Sequence, residues 1–175
     1  MKRIALFALV GIFCQCAFSQ NLADRLCYQT EISVGFPLPE SHGTPMRLCQ
    51  KVMYGLNPRL MCGVGAGISR YDKTLVPLFV DLQWSVARPR QFTTFVEARV
   101  GYSFAPSPFA TGGSNLGFGI GASFSLSGAH RLYASVGCEY QHFSQLKTFE
   151  SAVVRSRFVE KIGHNALSAT VGFQF

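Results

Sequence analysis

The chain has 175 residues, 48% of them hydrophobic and only 14% charged, with a formal net charge of +7. That length suits one domain, and cations scattered singly among few acids argue against a nucleic-acid groove and for acidic lipid phosphate as the nearer partner. After residue 19 no apolar run is long enough to cross a bilayer as a helix, so any membrane crossing has to use strands.

The chain opens with Lys2 and Arg3, an apolar run over 4–13, and the small residues Ala17 and Ser19 flanking Phe18. This predicts a signal peptide over 1–19, cleavage before Gln20, and a mature domain over 20–175. Cys14 and Cys16 follow Phe13 and Gln15 where lipid attachment wants a small residue, so they are expected to leave with the leader. Loss of Lys2 and Arg3 lowers the charge from +7 to +5.

From there the chain reads at period two, in eight segments bounded by Pro, Gly, Asn or charge. The first sets Tyr28, Thr30, Ile32, Val34 and Phe36 against Gln29, Glu31, Ser33 and Gly35. The second sets Leu48, Val52, Tyr54 and Leu56 against Arg47, Cys49, Lys51 and Gly55, with Gln50 the exception on its apolar side. In the third, Leu60, Cys62, Val64, Ala66 and Ile68 oppose Gly63, Gly65, Gly67 and Ser69. The fourth runs from Val76 to Val86, its even positions apolar against Phe79, Asp81, Gln83 and Ser85. The fifth sets Val96, Ala98, Val100, Tyr102 and Phe104 against Glu97, Arg99, Gly101 and Ser103. The sixth, from Leu116 to Leu126, opposes apolar even positions to Gly117, Gly119, Gly121, Ser123 and Ser125. The seventh sets Leu132, Ala134, Val136, Cys138 and Tyr140 against Ser135, Gly137, Glu139 and Gln141, and the eighth sets Leu167, Ala169, Val171, Phe173 and Phe175 against Ser168, Thr170, Gly172 and Gln174. No helix produces such a pattern.

Tight turns are predicted at Asn57-Pro58-Arg59, around Arg88-Pro89-Arg90 and at Gly128-Ala129-His130, with generally longer loops at 38–45, 105–114 and 144–163 and a short one at Asp72-Lys73. Short turns at one end and longer loops at the other, with both termini on the short side, predict an all-β, eight-stranded antiparallel up-and-down transmembrane β-barrel. Tyr28, Tyr54, Trp84 and Phe175 fall near the turn end, and Phe36, Tyr102, Phe104, Phe118 and Tyr140 near the loop end. That distribution is expected of two interfacial aromatic girdles.

With the apolar rows facing lipid, the other rows face a lumen just wide enough for side chains to fill. Register about the turns sets Lys51 opposite Gly65, Met53 opposite Gly63 and Asp81 opposite Arg99. Glu31, Lys51, Asp81, Glu97, Arg99 and Glu139 are then expected to form a mid-barrel cluster of mixed sign that plugs the lumen. Cys62 and Cys138 lie on outward rows of nonadjacent strands and Cys27 and Cys49 on inward rows at different depths, so four free thiols are expected. No metal-ligand spacing is present, and no cofactor or metal is expected.

The run Gly63-Val64-Gly65-Ala66-Gly67-Ile68-Ser69-Arg70-Tyr71, the segment Leu75-Val76-Pro77-Leu78-Phe79-Val80-Asp81-Leu82, Val100-Gly101-Tyr102-Ser103-Phe104, Gly117-Phe118-Gly119-Ile120-Gly121 and the terminal Val171-Gly172-Phe173-Gln174-Phe175 follow in order. In this the chain resembles small outer-membrane β-barrel proteins of the Bacteroidota type, relatives in shape of the OmpA and OmpX barrels. The resemblance covers most of the chain from about Met61 onward. It implies an outer-membrane location, a porin-like shape without a defined activity or catalytic residue, and a terminal aromatic signal, Phe173 and Phe175, read by the barrel-assembly machinery.

His142-Phe143-Ser144 is similar to the His-x-Ser of lipid A 3-O-deacylases, which are also eight-stranded outer-membrane barrels with a downstream Glu. That resemblance implies Ser144 as nucleophile, His142 as base and Glu150 as orienter of an acyl hydrolase. The chain departs from it in Gln145-Leu146-Lys147, where those enzymes carry Asn-Ala-Gly, and in the spacing of Glu150 and Glu160. The leading expectation is a monomeric structural or surface-interaction barrel, with outer-membrane lipid and lipopolysaccharide as its surroundings and any binding in its loops. The cationic stretch 144–163, with Lys147, Arg155, Arg157 and Lys161, is the candidate loop, and Val153, Val154, Phe158 and Val159 within it predict that it continues the strands above the membrane as a hairpin. A narrow channel and lipid A chemistry are the alternatives.

Overall fold

The computed structural model describes residues 25–37, 44–71, 73–86, 91–106, 110–127, 130–150 and 155–175, with the backbone alone at 110, 127, 145–150 and 155–162. The expected leader at 1–19 lies outside the described residues. Nine strands follow in chain order: β1 (Leu26–Pro37), β2 (Met46–Asn57), β3 (Leu60–Arg70), β4 (Thr74–Ser85), β5 (Phe92–Phe104), the two-residue β6 (Ala110–Thr111), β7 (Gly113–Ser127), β8 (His130–Glu150) and β9 (Arg155–Gln174).

Every neighbouring pair is antiparallel, and β9 pairs with both β8 and β1, so the eight long strands close on themselves with β6 as an appendage of β8. Within the barrel wall, closure leaves no strand edge with unpaired backbone polar groups. At the seam Phe175 N donates to Tyr28 O at 2.9 Å and Tyr28 N to Phe175 O at 3.4 Å.

The turns follow local chemistry. Pro58 and Arg59 link β2 to β3, and the Asn57 side-chain oxygen accepts from Arg59 N and Leu60 N, each at 2.8 Å, which fixes the reversal. The resulting register sets Lys51 opposite Gly65 and Met53 opposite Gly63, and β4 against β5 sets Asp81 opposite Arg99, as the turn positions predict. Pro77 brings no donor to the ladder, and the β3–β4 pairing skips from Ala66↔Leu78 to Ser69↔Leu75.

The connection over 144–163, expected to continue the strands as a hairpin, is largely strand. β8 and β9 stay paired from Gln141↔His164 out to Glu150↔Arg155, a hairpin that rises past the last residues of β7 paired with β8. The even positions of β8 and odd positions of β9 keep one face along this extension, so the two-residue period simply continues above the barrel wall.

Polarity is inverted relative to a soluble barrel. Ile32, Val64, Val80, Val100, Ile120, Val136 and Val171 are each about half exposed on the outer surface, whereas Glu31, Lys51 and Asp81 are buried inside. Trp84, Phe92, Phe124 and Phe175 face outward near the turn end, and Phe36, Tyr102, Phe104 and Tyr140 toward the loop end. A continuous apolar exterior with rings at both rims is the surface a barrel offers to hydrocarbon rather than to water.

Candidate functional site

The inner rows converge on the lumen, where three cations and four carboxylates meet at mid-height. Lys51 Nζ lies 2.8 Å from Glu31 Oε2 and 2.7 Å from Asp81 Oδ2, with Glu97 Oε2 at 3.9 Å. Arg99 Nη2 lies 2.7 Å from Glu31 Oε1 and 3.5 Å from Asp81 Oδ2. Arg47 extends the cluster toward the loop end, 2.6 Å from Glu139 Oε1 and 3.7 Å from Glu31 Oε1. Glu31 therefore touches all three cations, and Tyr133 Oη donates to its other oxygen at 3.3 Å. Ser135 Oγ donates to Glu97 at 2.8 Å. Such mutual pairing is what lets seven ionisable groups stay in a water-poor interior, with Arg47 Nε, Asp81 Oδ1 and Arg99 Nε left buried without a hydrogen-bond partner.

The structure thus brings Glu31, Lys51, Asp81, Glu97, Arg99 and Glu139 into one network. Sequence reasoning assigned Arg47 to the inner row but left it out of the cluster, and it missed Tyr133. The signal for both lay in the barrel's closure: Arg47 meets Glu139 of β8 across the lumen, a pairing invisible to the local register of β2.

Glycines make the space for this packing, filled chiefly by rings. Cross-strand from Gly65, Gly121 and Gly172 stand Phe79, Phe95 and Tyr133, and a Cβ at any of the three glycines would strike the facing ring. Phe79 in turn supports the Arg99 guanidinium, 4.5 Å above its centroid, and Tyr133 lies 5.6 Å from Lys51 Nζ. Charged chains over glycine occur as well, with Glu97 Oε1 2.9 Å from where a Cβ on Gly119 would sit.

Polar layers continue to either side. Toward the turn end Gln29 Nε2 donates to Gln83 and Gln174, both at 3.3 Å. Toward the loop end Asn115 donates to Ser103 Oγ and Ser103 donates to Gln141, at 2.9 and 2.8 Å. Above them the fully buried Phe143 stacks on His164 with centroids 5.2 Å apart, and the Tyr71 ring packs on His164 at a tilt, 5.6 Å away. Burial pushes the Tyr71 phenol well above its ordinary range, so this cap carries a neutral hydroxyl. The cavity bordered by Arg47, Arg99 and Glu139 measures about 10 Å³, room for about one water.

His142, Ser144 and Glu150 lie elsewhere, on the outward-facing positions of β8 near and above the loop rim. His142 and Ser144 are half-buried neighbours on one face. Glu150 is six residues past Ser144 on the same strand, roughly 20 Å away at the rise of an extended chain. Residues facing Ser144 and His142 on β9 are Lys161 and Gly163, while Glu160 pairs with Gln145 on the opposite face. No carboxylate is brought beside the His-x-Ser pair by the described strands.

Cys27, Cys49, Cys62 and Cys138 are all free. Among the described residues no group of His, Cys, Asp and Glu could hold a metal ion.

An antiparallel eight-stranded closed barrel with an apolar outside and a polar, filled inside is the architecture of the small outer-membrane barrels. Solved structures bear out that architecture at low sequence identity. The outer membrane protein OprG from Pseudomonas aeruginosa superposes with a TM-score of 0.65 at 10% identity, covering 86% of this chain and 94% of that one. The N-terminal β-barrel domain of Pseudomonas aeruginosa OprF gives 0.57 at 13% identity over 87% and 98% of the two chains. Neisserial surface protein A gives 0.56 at 13% identity over 84% and 94%. No protein-family model and no curated protein matches the chain.

Proposed function

We propose that this chain is an outer-membrane β-barrel with a structural or surface-interaction role, its lumen closed by the ion-pair network and any binding carried by its extracellular loops. The observation that carries this reading is the joint polarity: an exterior of half-exposed Val, Ile, Leu and aromatic side chains around buried Glu31, Lys51, Asp81 and Arg99. Only a lipid solvent makes both halves of that arrangement favourable. Residues 1–19 act as the export signal, and Phe173 with Phe175 at the closing strand forms the assembly signal for the barrel-assembly machinery. The protein is a monomer surrounded by outer-membrane lipid and lipopolysaccharide, and it is a porin-like barrel of the Bacteroidota type, related in shape to the OmpA and OmpX barrels.

Membrane fractionation and planar-bilayer recording test the proposal together. The expected result is recovery in the outer-membrane fraction, resistance to alkaline extraction, and no stepwise conductance. Recovery in the soluble fraction overturns the membrane reading, and steady ion conductance overturns the closed lumen in favour of a narrow channel.

A further inference from the structure

We infer that the outer wall formed by β7, β8 and β9, together with the hairpin rising from it, is a binding site for one phosphorylated, acylated lipid of the surrounding leaflet. The inference rests on the membrane reading above and gives it a ligand. Two independent features of the same wall carry it.

The first is a trough in the apolar exterior. One section, of about 520 Å³, is lined by Val96, Ile120, Ala134, Val136, Ala169 and Val171. A second, of about 490 Å³, shares Ile120, Val136 and Ala169 and runs on to Cys138 and Leu167, nearer the loop end. The floor is low because small residues sit beside large ones across the β8–β9 ladder: Ala134 faces Val171, Val136 faces Ala169, and Cys138 faces Leu167. Phe118, 61% exposed, stands as a ridge along its side. A channel of this shape, apolar along its length and open to the bilayer, takes an acyl chain better than it takes water.

The second feature is the row directly above. Continuing past Tyr140, the outward positions of β8 are His142 and Ser144, opposite Gly163 and Lys161 of β9. A Cβ on Gly163 would lie 3.4 Å from the Tyr140 ring and hydroxyl, so the ring spans that glycine at the rim. Beyond Lys161 the same register row of β9 holds Val159, Arg157 and Arg155, opposite Leu146, Thr148 and Glu150, whereas Glu160 falls in the other row. Apolar trough below and cationic row above are the two halves of a phospholipid or glycolipid with a phosphoryl headgroup. A second copy of the chain fits less well, because a twofold interface on this wall would set one cationic row against the other.

The test uses the full chain in phosphatidylcholine vesicles doped with bis-phosphorylated lipid A, followed by native mass spectrometry of the released protein. Wild type is expected to keep one lipid A, and to keep the dephosphorylated form far less. Lys161→Gln and Arg157→Gln are each expected to lower retention about fivefold. Ala169→Phe fills the trough and is expected to abolish retention, while Ala66→Phe adds the same ring to the outward row of β3 and leaves it unchanged. Equal retention of the dephosphorylated lipid, equal effects of the two Phe substitutions, or full displacement by inorganic phosphate overturns the inference. A chain that fails to float with the vesicles overturns the membrane reading and this inference with it, whereas a floating chain with unselective retention overturns the inference alone.

Discussion

Replacing Lys51 by Met removes the cation on which two buried carboxylates converge at 2.8 and 2.7 Å. The network holds Arg47, Lys51 and Arg99 against Glu31, Asp81, Glu97 and Glu139, so Lys51→Met leaves two cations facing four carboxylates. The Lys51 side chain is 1% exposed, and solvent cannot take over its role. Breaking a buried pair from one side typically costs about 3–5 kcal/mol. Glu31 touches more partners, three cations and the Tyr133 hydroxyl, yet Glu31→Gln brings the count to three against three and keeps the shape, so its cost is expected to be smaller, about 1–3 kcal/mol. The double variant restores an excess of one carboxylate, as in the native lumen, and should be less destabilised than the sum of the singles by about 2 kcal/mol. Unfolding from vesicles in guanidinium at alkaline pH, followed by fluorescence of the single tryptophan, Trp84, on the outer surface near the turn end, measures all four chains. A strictly additive cycle, or a Lys51→Met protein as stable as wild type, refutes the view that this network is closely coupled.

Gly137→Ala is expected to destabilise by about 1–3 kcal/mol, because the new Cβ meets the Phe118 carbonyl oxygen and lies 2.8 Å from Gly119 Cα. Gly117→Ala, whose Cβ approaches nothing nearer than Arg99 Cβ at 3.6 Å, should fall within about 0.5 kcal/mol of wild type in the same unfolding assay. Phe175→Ala loses an edge-on ring contact with Phe173 at 4.7 Å, worth about 1 kcal/mol, but keeps both backbone bonds to Tyr28. Its refolded stability should therefore barely change while the folded yield in cells drops severalfold on a heat-modifiability gel; equal losses in both would deny it an assembly role. His142→Ala and Ser144→Ala should leave the mass of cellular lipid A unchanged, because no carboxylate stands beside the pair on the described strands. Loss of an acyl-chain cleavage in either variant would show that another group completes the site.

The two-residue period carried most of the fold, because each strand of a closed barrel has one face in lipid and one in the lumen and no other environment to answer to. The outward assignment of Ile32, Val64, Leu78, Val100, Phe118, Val136 and Val171 needs nothing beyond that alternation. Turn chemistry at Asn57-Pro58-Arg59 added the register that sets Lys51 opposite Gly65, and register about Arg90 put Asp81 beside Arg99. What could not be read locally was contact across the lumen. Tyr133 to Glu31 spans 102 residues of sequence, and Arg47 to Glu139 joins strands on different sides of the barrel. Alternation also says which side a residue faces without saying what fills the space it leaves. Hence the rings of Phe79, Phe95 and Tyr133 seated on facing glycines appear in sequence only as aromatic interruptions of a polar row. The extension of β8 and β9 was legible as well: Phe158 and Val159 carry strand-forming residues into 155–163, and a strand clear of the bilayer can carry charge on either face.

Inside and outside of this barrel perform separate physical work. Hydrocarbon is as apolar as the outward Val, Ile and Leu, so packing them against lipid does little to select one strand register over another. A slip by one residue would turn every inward charge into the bilayer, and the ion pairs and ring-on-glycine contacts are the interactions that distinguish one inward alignment from the next. Register is thus held from within, by Glu31, Lys51, Asp81 and Arg99 and by the glycines that admit their neighbours. The outer wall is left free to vary in relief, and the trough along Ala134, Ala169 and Cys138 beneath the cationic row is such a variation. Substitutions should therefore divide by face. Inner-row changes such as Lys51→Met should lower unfolding free energy without changing which lipid is retained. Outer-row changes such as Ala169→Phe should change lipid retention while unfolding stays near wild type. An outer-row ring that unfolded the barrel as severely as Lys51→Met would mean that the wall, too, specifies the fold.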